Sequence, residues 1–408
     1  MLRYWKLISI SIITVLTIGA FYIQSAMASN NYPEFVLDTQ SGNKDEISNI
    51  TIRADYREGI NGEYAEITSE GTMYASEQSF LDRLGGMYTD ADMERLQKNY
   101  RNFMRGKDNI WAVFEDQNIL AYADINDHYI VDGPREFTFD IDILEKDSSK
   151  TRNFTINIPE KNKYNYVQIE DVQVLNNEMI VTTVNHSVNG NEWGSDEIHV
   201  YRFNITDEKL VTDEVIQVNP EHANVQFAHV NLIHDQSDIG SAEHLVFIKE
   251  YMKEVQHEDG SYYLEPNGSE LIAYNLKTNE LETIQLSEEI QVSSGSIYLN
   301  DSTLYIIELA DKDIKVTSFN MDSKEIEKLE TINLPSINSS NLNDHFSVKI
   351  KDGEMYLVGY EVNKNTEAPL LVIDLDSGKI KYEGVIITEN LKKTQLEYIL
   401  NIYEIELK

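Results

Sequence analysis

The sequence of 408 residues contains no cysteine, which excludes disulfides, zinc–thiolate centres, thiol catalysis and lipid attachment through cysteine. Stability must therefore come from packing. Basic residues are also scarce: 34 Lys and Arg stand against 70 Asp and Glu, a formal net charge of −36. Such an imbalance repels nucleic acid and anionic lipid surfaces, leaves cations and basic proteins as better-matched partners, and keeps an exported chain soluble. No Gly-x-Ser-x-Gly, Walker A or Gly-x-Gly-x-x-Gly pattern occurs, so hydrolases, nucleotide binders and dinucleotide enzymes that announce themselves by a linear motif are removed. What is present is ordinary for a folded protein, with 41% hydrophobic and 25% charged residues.

The N-terminus carries Arg3 and Lys6, then an uncharged, largely apolar run from Leu7 to Ile23, then Ala26-Met27-Ala28, a small-x-small cleavage pattern. Residues 1–28 are expected to be an export signal, either removed or kept as a single-pass anchor, since 17 residues lie at the lower edge of a bilayer span. The rest of the chain is then extracytoplasmic, secreted or tethered, with the membrane touched only through this segment.

Beyond residue 28 short apolar–polar alternations are punctuated by turn residues, the period of strands. Five stretches share one design of strand, tight polar turn, strand: Phe137 to Ile158, Ile198 to Val218, Glu270 to Leu286, Ile314 to Leu334 and Leu370 to Ile387. Their turns fall at Lys146-Asp147-Ser148-Ser149, Thr206-Asp207-Glu208, Lys277-Thr278-Asn279, Met321-Asp322-Ser323 and Asp376-Ser377-Gly378. A further strand pair precedes each hairpin, as in Val167 to Val174 with Met179 to Asn185. Four-stranded units at this spacing predict a mostly β fold, a β-propeller of six or alternatively seven blades, filling residues 29–408 as one domain. The strand at 398–407 is expected to close the ring against the N-terminal strands, leaving no exposed sheet edge. Two separate β-sandwiches are the competing arrangement.

The hairpin Val372-Ile373-Asp374-Leu375-Asp376-Ser377-Gly378-Lys379 resembles the outer hairpins of quinoprotein-like and YVTN-type propellers. That resemblance implies the fold. The aromatic residue expected on the second strand is absent around Lys381-Tyr382-Glu383-Gly384, so no quinone cofactor is implied.

One segment, 76–107, breaks the β pattern and is expected to be a two-helix insertion. Ser76 to Leu84 reads as a first helix ended by Gly85-Gly86; Thr89 caps a second, whose apolar stripe is Met93, Leu96, Tyr100, Phe103 and Met104. The second helix also carries Arg95, Lys98, Arg101 and Arg105 along one side. In so acidic a chain this basic face either docks on the protein's own acidic body or binds an anionic partner at the cell envelope.

Five histidines, His222, His229, His234, His244 and His257, fall within one blade's length. His229 and His234 differ by an odd number and would face opposite sides of a strand, leaving His234, Asp235 and His244 as the conceivable metal set. No dense ligand spacing supports it, and the expected cofactor is none, with unlocalised calcium the other option. Asp124-Ile125-Asn126-Asp127-His128 lacks the glycine and glutamate of an EF-hand.

Two functions compete on this reading. The first is a non-catalytic binding or scaffold module for an envelope protein or small ligand. The second is an extracellular propeller enzyme acting on a glycan, peptide or ester. Three or more acidic, His or Tyr side chains converging in one pocket would favour the second.

Overall fold

A computed structural model of the chain describes residues 9–17, 19, 32–78, 90–128, 136–160, 163–187, 195–216, 227–234, 239–240, 242–256, 260–286, 290, 296–310, 313–334, 346–389 and 397–407. These residues divide into two compact units, one of 1–91, 309–313 and 332–408, the other of 92–308 and 314–331. Residues 9–17 are helical, and among the described residues no helix is long and apolar enough to cross a membrane.

The first unit begins with β1 (Glu34–Gly42), β2 (Ile50–Glu58), β3 (Asn61–Thr68) and β4 (Gly71–Tyr74). The second opens with helix α1 (Ala91–Asn99) and then holds four sheets. They are β5 (Val113–Glu115), β6 (Ile119–His128), β7 (Glu136–Glu145) and β8 (Lys150–Asn157); β9 (Tyr164–Leu175), β10 (Glu178–Ser187), β11 (Ser195–Asn204) and β12 (Lys209–Ile216); β13 (Phe227–Ile233), β14 (His244–Gln256), β15 (Tyr262–Asn275) and β16 (Glu280–Ile284); and β17 (Ile297–Asn300), β18 (Thr303–Ala310), β19 (Asp313–Asn320) and β20 (Glu325–Asn333). Each is a meander in sequence order, the topology of a propeller blade.

The last strands, β21 (Phe346–Lys351), β22 (Glu354–Gly359), β23 (Glu361–Asn363), β24 (Ala368–Asp374), β25 (Lys379–Glu389) and β26 (Ile399–Leu407), return to the first unit. There β1 extends the blade β21-β22-β24-β25, while β26 pairs with β2 and heads a sheet with β3 and β4. Arg53 of β2, almost fully buried, ties that sheet together: its guanidinium lies 2.8 Å from Glu406 and 3.4 Å from Glu404 of β26. The fold class is mostly β with six antiparallel blades, as the repeated hairpins predict.

The outer turns of four blades share one physical device. Asn204, Asn275 and Asn320 each accept backbone N–H bonds at their Oδ1 from residues two and three positions on, and Asp374 accepts from Ser377. The residue four positions on then adopts a left-handed backbone: Glu208, Asn279, Lys324 and Gly378 have φ of 54°, 60°, 60° and 65°. Short polar side chains fold the chain back on themselves, so the hairpin register is fixed locally.

The apolar stripe of α1 and the turns after it is buried as expected. Met93, Leu96, Phe103 and Met104 join Phe114, Leu120, Phe137, Phe139, Tyr201 and Phe203 in one core cluster. Each such fully buried side chain contributes about 1.5–3 kcal/mol. Of the predicted first helix, residues 75–77 form a turn, while 79–84, Gly85, Gly86 and Thr89 lie outside the described residues.

Candidate active site

The second unit contains a pocket of about 330 Å³ where the blade β9–β12 meets the edge strand β13. It is lined by Tyr166, Gln168 and Glu170 of β9, Val184 and His186 of β10, Asp196 of β11, and Val230, Asn231, Leu232 and His234 from β13 and its end. Strand pairing explains the first set. Tyr166 pairs with His186 and His186 with Asp196, so three side chains stand in a row across three adjacent strands on one face.

Glu170 follows Tyr166 and Gln168 at the strand period of two, so all three stand on one face of β9. Thr182 pairs with Asp171 and Thr183 with Ile169, leaving Glu170 as the unpaired residue of a β-bulge. The Glu170 side chain is only 13% exposed. Burial raises its carboxyl from an ordinary value near 4.5 to about 7, with the nearby charge of Asp171 adding to the effect and a hydrogen bond from Gln168 opposing it. Beside it, His234 Nε2 lies 3.7 Å from Glu170 Oε2, beyond hydrogen-bonding distance. The His234 ring stacks on the Trp111 indole with centroids 3.6 Å apart, and burial lowers its pKa to about 4. Between about pH 4 and 7, then, the pair is a neutral imidazole beside a protonated acid.

On the other side of the pocket Asp196 bridges two imidazoles. Its Oδ1 accepts from His186 Nδ1 at 2.7 Å and its Oδ2 from His229 Nδ1 at 3.2 Å. A carboxylate only accepts, so the neutral His186 ring carries its proton on Nδ1 and presents the lone pair of Nε2. This is the arrangement by which a carboxylate orients a general base. Tyr166 donates its hydroxyl to Gln168 Oε1 at 2.8 Å, and the amides of Gln168 and Asn231 complete a polar wall over an apolar floor of Val184, Val230 and Leu232. An acid able to give a proton and a base able to take one thus face one cavity, the minimum equipment for general acid–base catalysis.

The reverse face of the same blade is held rigid by a buried polar chain. His199 Nδ1 bonds Asp213 at 2.8 Å and its Nε2 bonds the Tyr164 hydroxyl at 2.9 Å; Tyr164 and Lys163 both reach Glu197, at 3.1 and 2.7 Å. Glu197 and Asp196 are neighbours on β11, so this network fixes the backbone from which Asp196 projects.

The predicted site residues are distributed differently. Arg95 is occupied by the protein's own acids, 2.8 Å from Asp92 and 2.7 Å from Glu115. Lys98, Arg101 and Arg105 are exposed and form no ion pair among the described residues. His234 lines the pocket, but His244 of β14 turns to Asn275, bonding its Nδ2 at 3.0 Å, and Asp235, His222 and His257 lie outside the described residues. Among the described residues no three His, Asp or Glu side chains are placed to hold a metal ion. His229 and His234 do take different partners, Asp196 and Glu170. Strand parity does not sort residues at this pocket, however, because β13 presents its edge and consecutive residues 230, 231 and 232 all line it. Sequence reasoning passed over Glu170, His186 and Asp196 entirely.

No family model matches the sequence, and no curated protein matches it. Solved structures align only distantly. They include an ulvan lyase of polysaccharide lyase family PL25 (10% identity, 81% of this chain and 79% of that one, TM-score 0.36) and the hemagglutinin-neuraminidase ectodomain of parainfluenza virus 5 (8%, 72% and 80%, TM-score 0.32). A third is a Trypanosoma rangeli sialidase (10%, 72% and 54%, TM-score 0.34), of which this chain spans about half the length. At these values the likeness carries no inference about function.

Proposed function

We propose that the protein is an extracytoplasmic enzyme that cleaves a glycan by general acid–base catalysis in the pocket between β9–β11 and β13. The observation that carries this reading is the pairing of opposites in one cavity: Glu170, raised to about 7, across from a His186 whose Nδ1 is held by Asp196. Glu170 protonates the departing oxygen, and His186 Nε2 takes a proton from the attacking water. Export is supported by Arg3, Lys6, the apolar run 7–23 and Ala26-Met27-Ala28. A glycan, rather than a peptide or ester, is favoured by the amides of Gln168 and Asn231 and by the exposed aromatic residue Tyr166 in the lining.

The test is release of new reducing ends from a panel of polysaccharides, with Glu170→Gln and His186→Ala beside the native chain. Either substitution is expected to lower kcat by about 10²–10⁴ while leaving binding within a few-fold. Turnover unaffected by both would remove the assignment.

The helix ends at Asn99, so only Lys98 of the free cations is on it, with Arg101 and Arg105 in the turns that follow; these three exposed residues favour a second reading, a binding module for an acidic envelope partner, with Arg95 internally engaged. A pull-down from envelope extract with those three residues changed to Gln tests it; a retained partner lost by the triple variant supports it, and an unchanged profile rejects it.

A further inference from the structure

Every residue lining the pocket comes from two stretches of sequence, 164–201 and 210–248, that contain no Lys or Arg at all but 12 Asp and Glu. With 34 basic residues in 408, about six would fall in these 77 positions by composition alone. Among the described residues the pocket lining therefore offers no guanidinium or ammonium, the groups that recognise a sugar carboxylate, sulfate or phosphate by charge-assisted hydrogen bonds. Its ionisable lining is Tyr166, Glu170, His186, Asp196 and His234. An acidic group brought here would be desolvated beside Asp196, with Asp171 near Glu170, and with no countercharge. The neutral hydrogen-bonding groups, Gln168, Asn231 and the Tyr166 hydroxyl, instead match sugar hydroxyls. The Tyr166 side chain, in a residue 54% exposed, suits the apolar face of a pyranose or an amine above its ring.

We infer that the pocket selects glycans without acidic groups, neutral or amine-bearing sugars, and rejects uronates and sulfated sugars. The inference rests on the reading of this pocket as a glycan site. Like-charge juxtaposition sets the size of the discrimination at about 100-fold or more in affinity.

Calorimetric titration of the full chain with cellohexaose, chitohexaose, a glucosamine hexamer and a galacturonate hexamer at physiological salt tests it. Cellohexaose, chitohexaose or the glucosamine hexamer is expected to bind at least about 100-fold more tightly than the galacturonate hexamer. Placing a cation in the wall, Asn231→Arg, is expected to narrow that gap by about tenfold or more, a change that a merely structural defect would not produce. Binding of the galacturonate hexamer as tightly as the others, or binding of none of the four, would overturn the inference. Saccharide binding without cleavage would sink the catalytic assignment alone, and cleavage of an acidic glycan would sink the charge selection alone.

Discussion

Replacing Glu170 with glutamine should make the protein both inactive and more stable, with a stability gain that depends on pH. Glutamine reproduces the shape of the protonated acid but never ionises. In the folded chain the carboxyl titrates at about 7 instead of the ordinary 4.5, because the charged form is buried beneath His234 and beside Asp171. Holding a carboxyl that far from its unfolded value corresponds to about 3 kcal/mol. The sign follows from proton linkage: between 4.5 and 7 the folded state binds more protons than the unfolded one, so the native protein loses stability as pH rises through that window. The glutamine variant has no such loss. The two proteins should melt together below pH 4.5 and separate progressively, reaching a difference of about 2–3 kcal/mol above pH 7, or about 2–4 °C in melting midpoint for a chain of this length. Circular dichroism melts at about pH 4.5, 6, 7 and 8 read this directly. A difference that does not vary with pH, or a variant less stable at the alkaline end, would refute the claim that Glu170 is a buried acid.

The base should respond differently. Asp196→Asn leaves the strand row intact but presents a donor as well as an acceptor to both imidazoles, and is expected to lower kcat by about 10²–10⁴ with little change in melting midpoint. Trp111→Ala uncovers His234, whose pKa should climb from about 4 toward 6.5, visible by NMR titration of its ring protons; the acid lability that His234 confers as pH falls from 6.5 to 4 should diminish with it. Arg202 is buried, with Nη2 donating to the Leu276 carbonyl at 2.9 Å and to Asn279 Oδ1 at 2.5 Å; Arg202→Ala should destabilise by about 2–4 kcal/mol in denaturant titration, since both acceptors are stranded. Changing Lys98, Arg101 and Arg105 together to Gln should leave stability within about 0.5 kcal/mol by the same titration.

The architecture was legible because it is written locally. Turns such as Thr206-Asp207-Glu208 and Lys277-Thr278-Asn279 lie where a polar side chain a few residues upstream folds the backbone back, so each hairpin declares itself within a short stretch of chain. The stripe Met93, Leu96, Phe103 and Met104 is similarly local. The site was not legible for separate reasons. Glu170 is one of 70 acidic residues, and although Tyr166, Gln168 and Glu170 recur at the period of one strand face, nothing in that alternation says which acid the edge of another blade will cover. The pocket also joins β9 to the edge of β13, whose residues are some 60 positions apart and related only by tertiary packing. One signal was available: His186 and Asp196 stand symmetrically about residue 191 on the arms of one hairpin, directly opposite in register, and a His–Asp pair so spaced across a turn is a candidate dyad on spacing alone.

That the stability experiment and the activity experiment converge on the same residue follows from how the site is built. The strand period puts Glu170 on the pocket face of β9 with Tyr166 and Gln168, and it is buried there, where its charged form is disfavoured. Its neighbour His234 is driven in the opposite sense by the same burial, which raises an acid and lowers a base together and leaves both groups uncharged between about pH 4 and 7. Both oxygens of Asp196, by contrast, accept from imidazole Nδ1 atoms, so the second acid of the cavity serves to orient a base. A core free to optimise stability would not retain Glu170 in this position, and relief of its burial by glutamine is therefore the measurement in which function and stability must move in opposite directions.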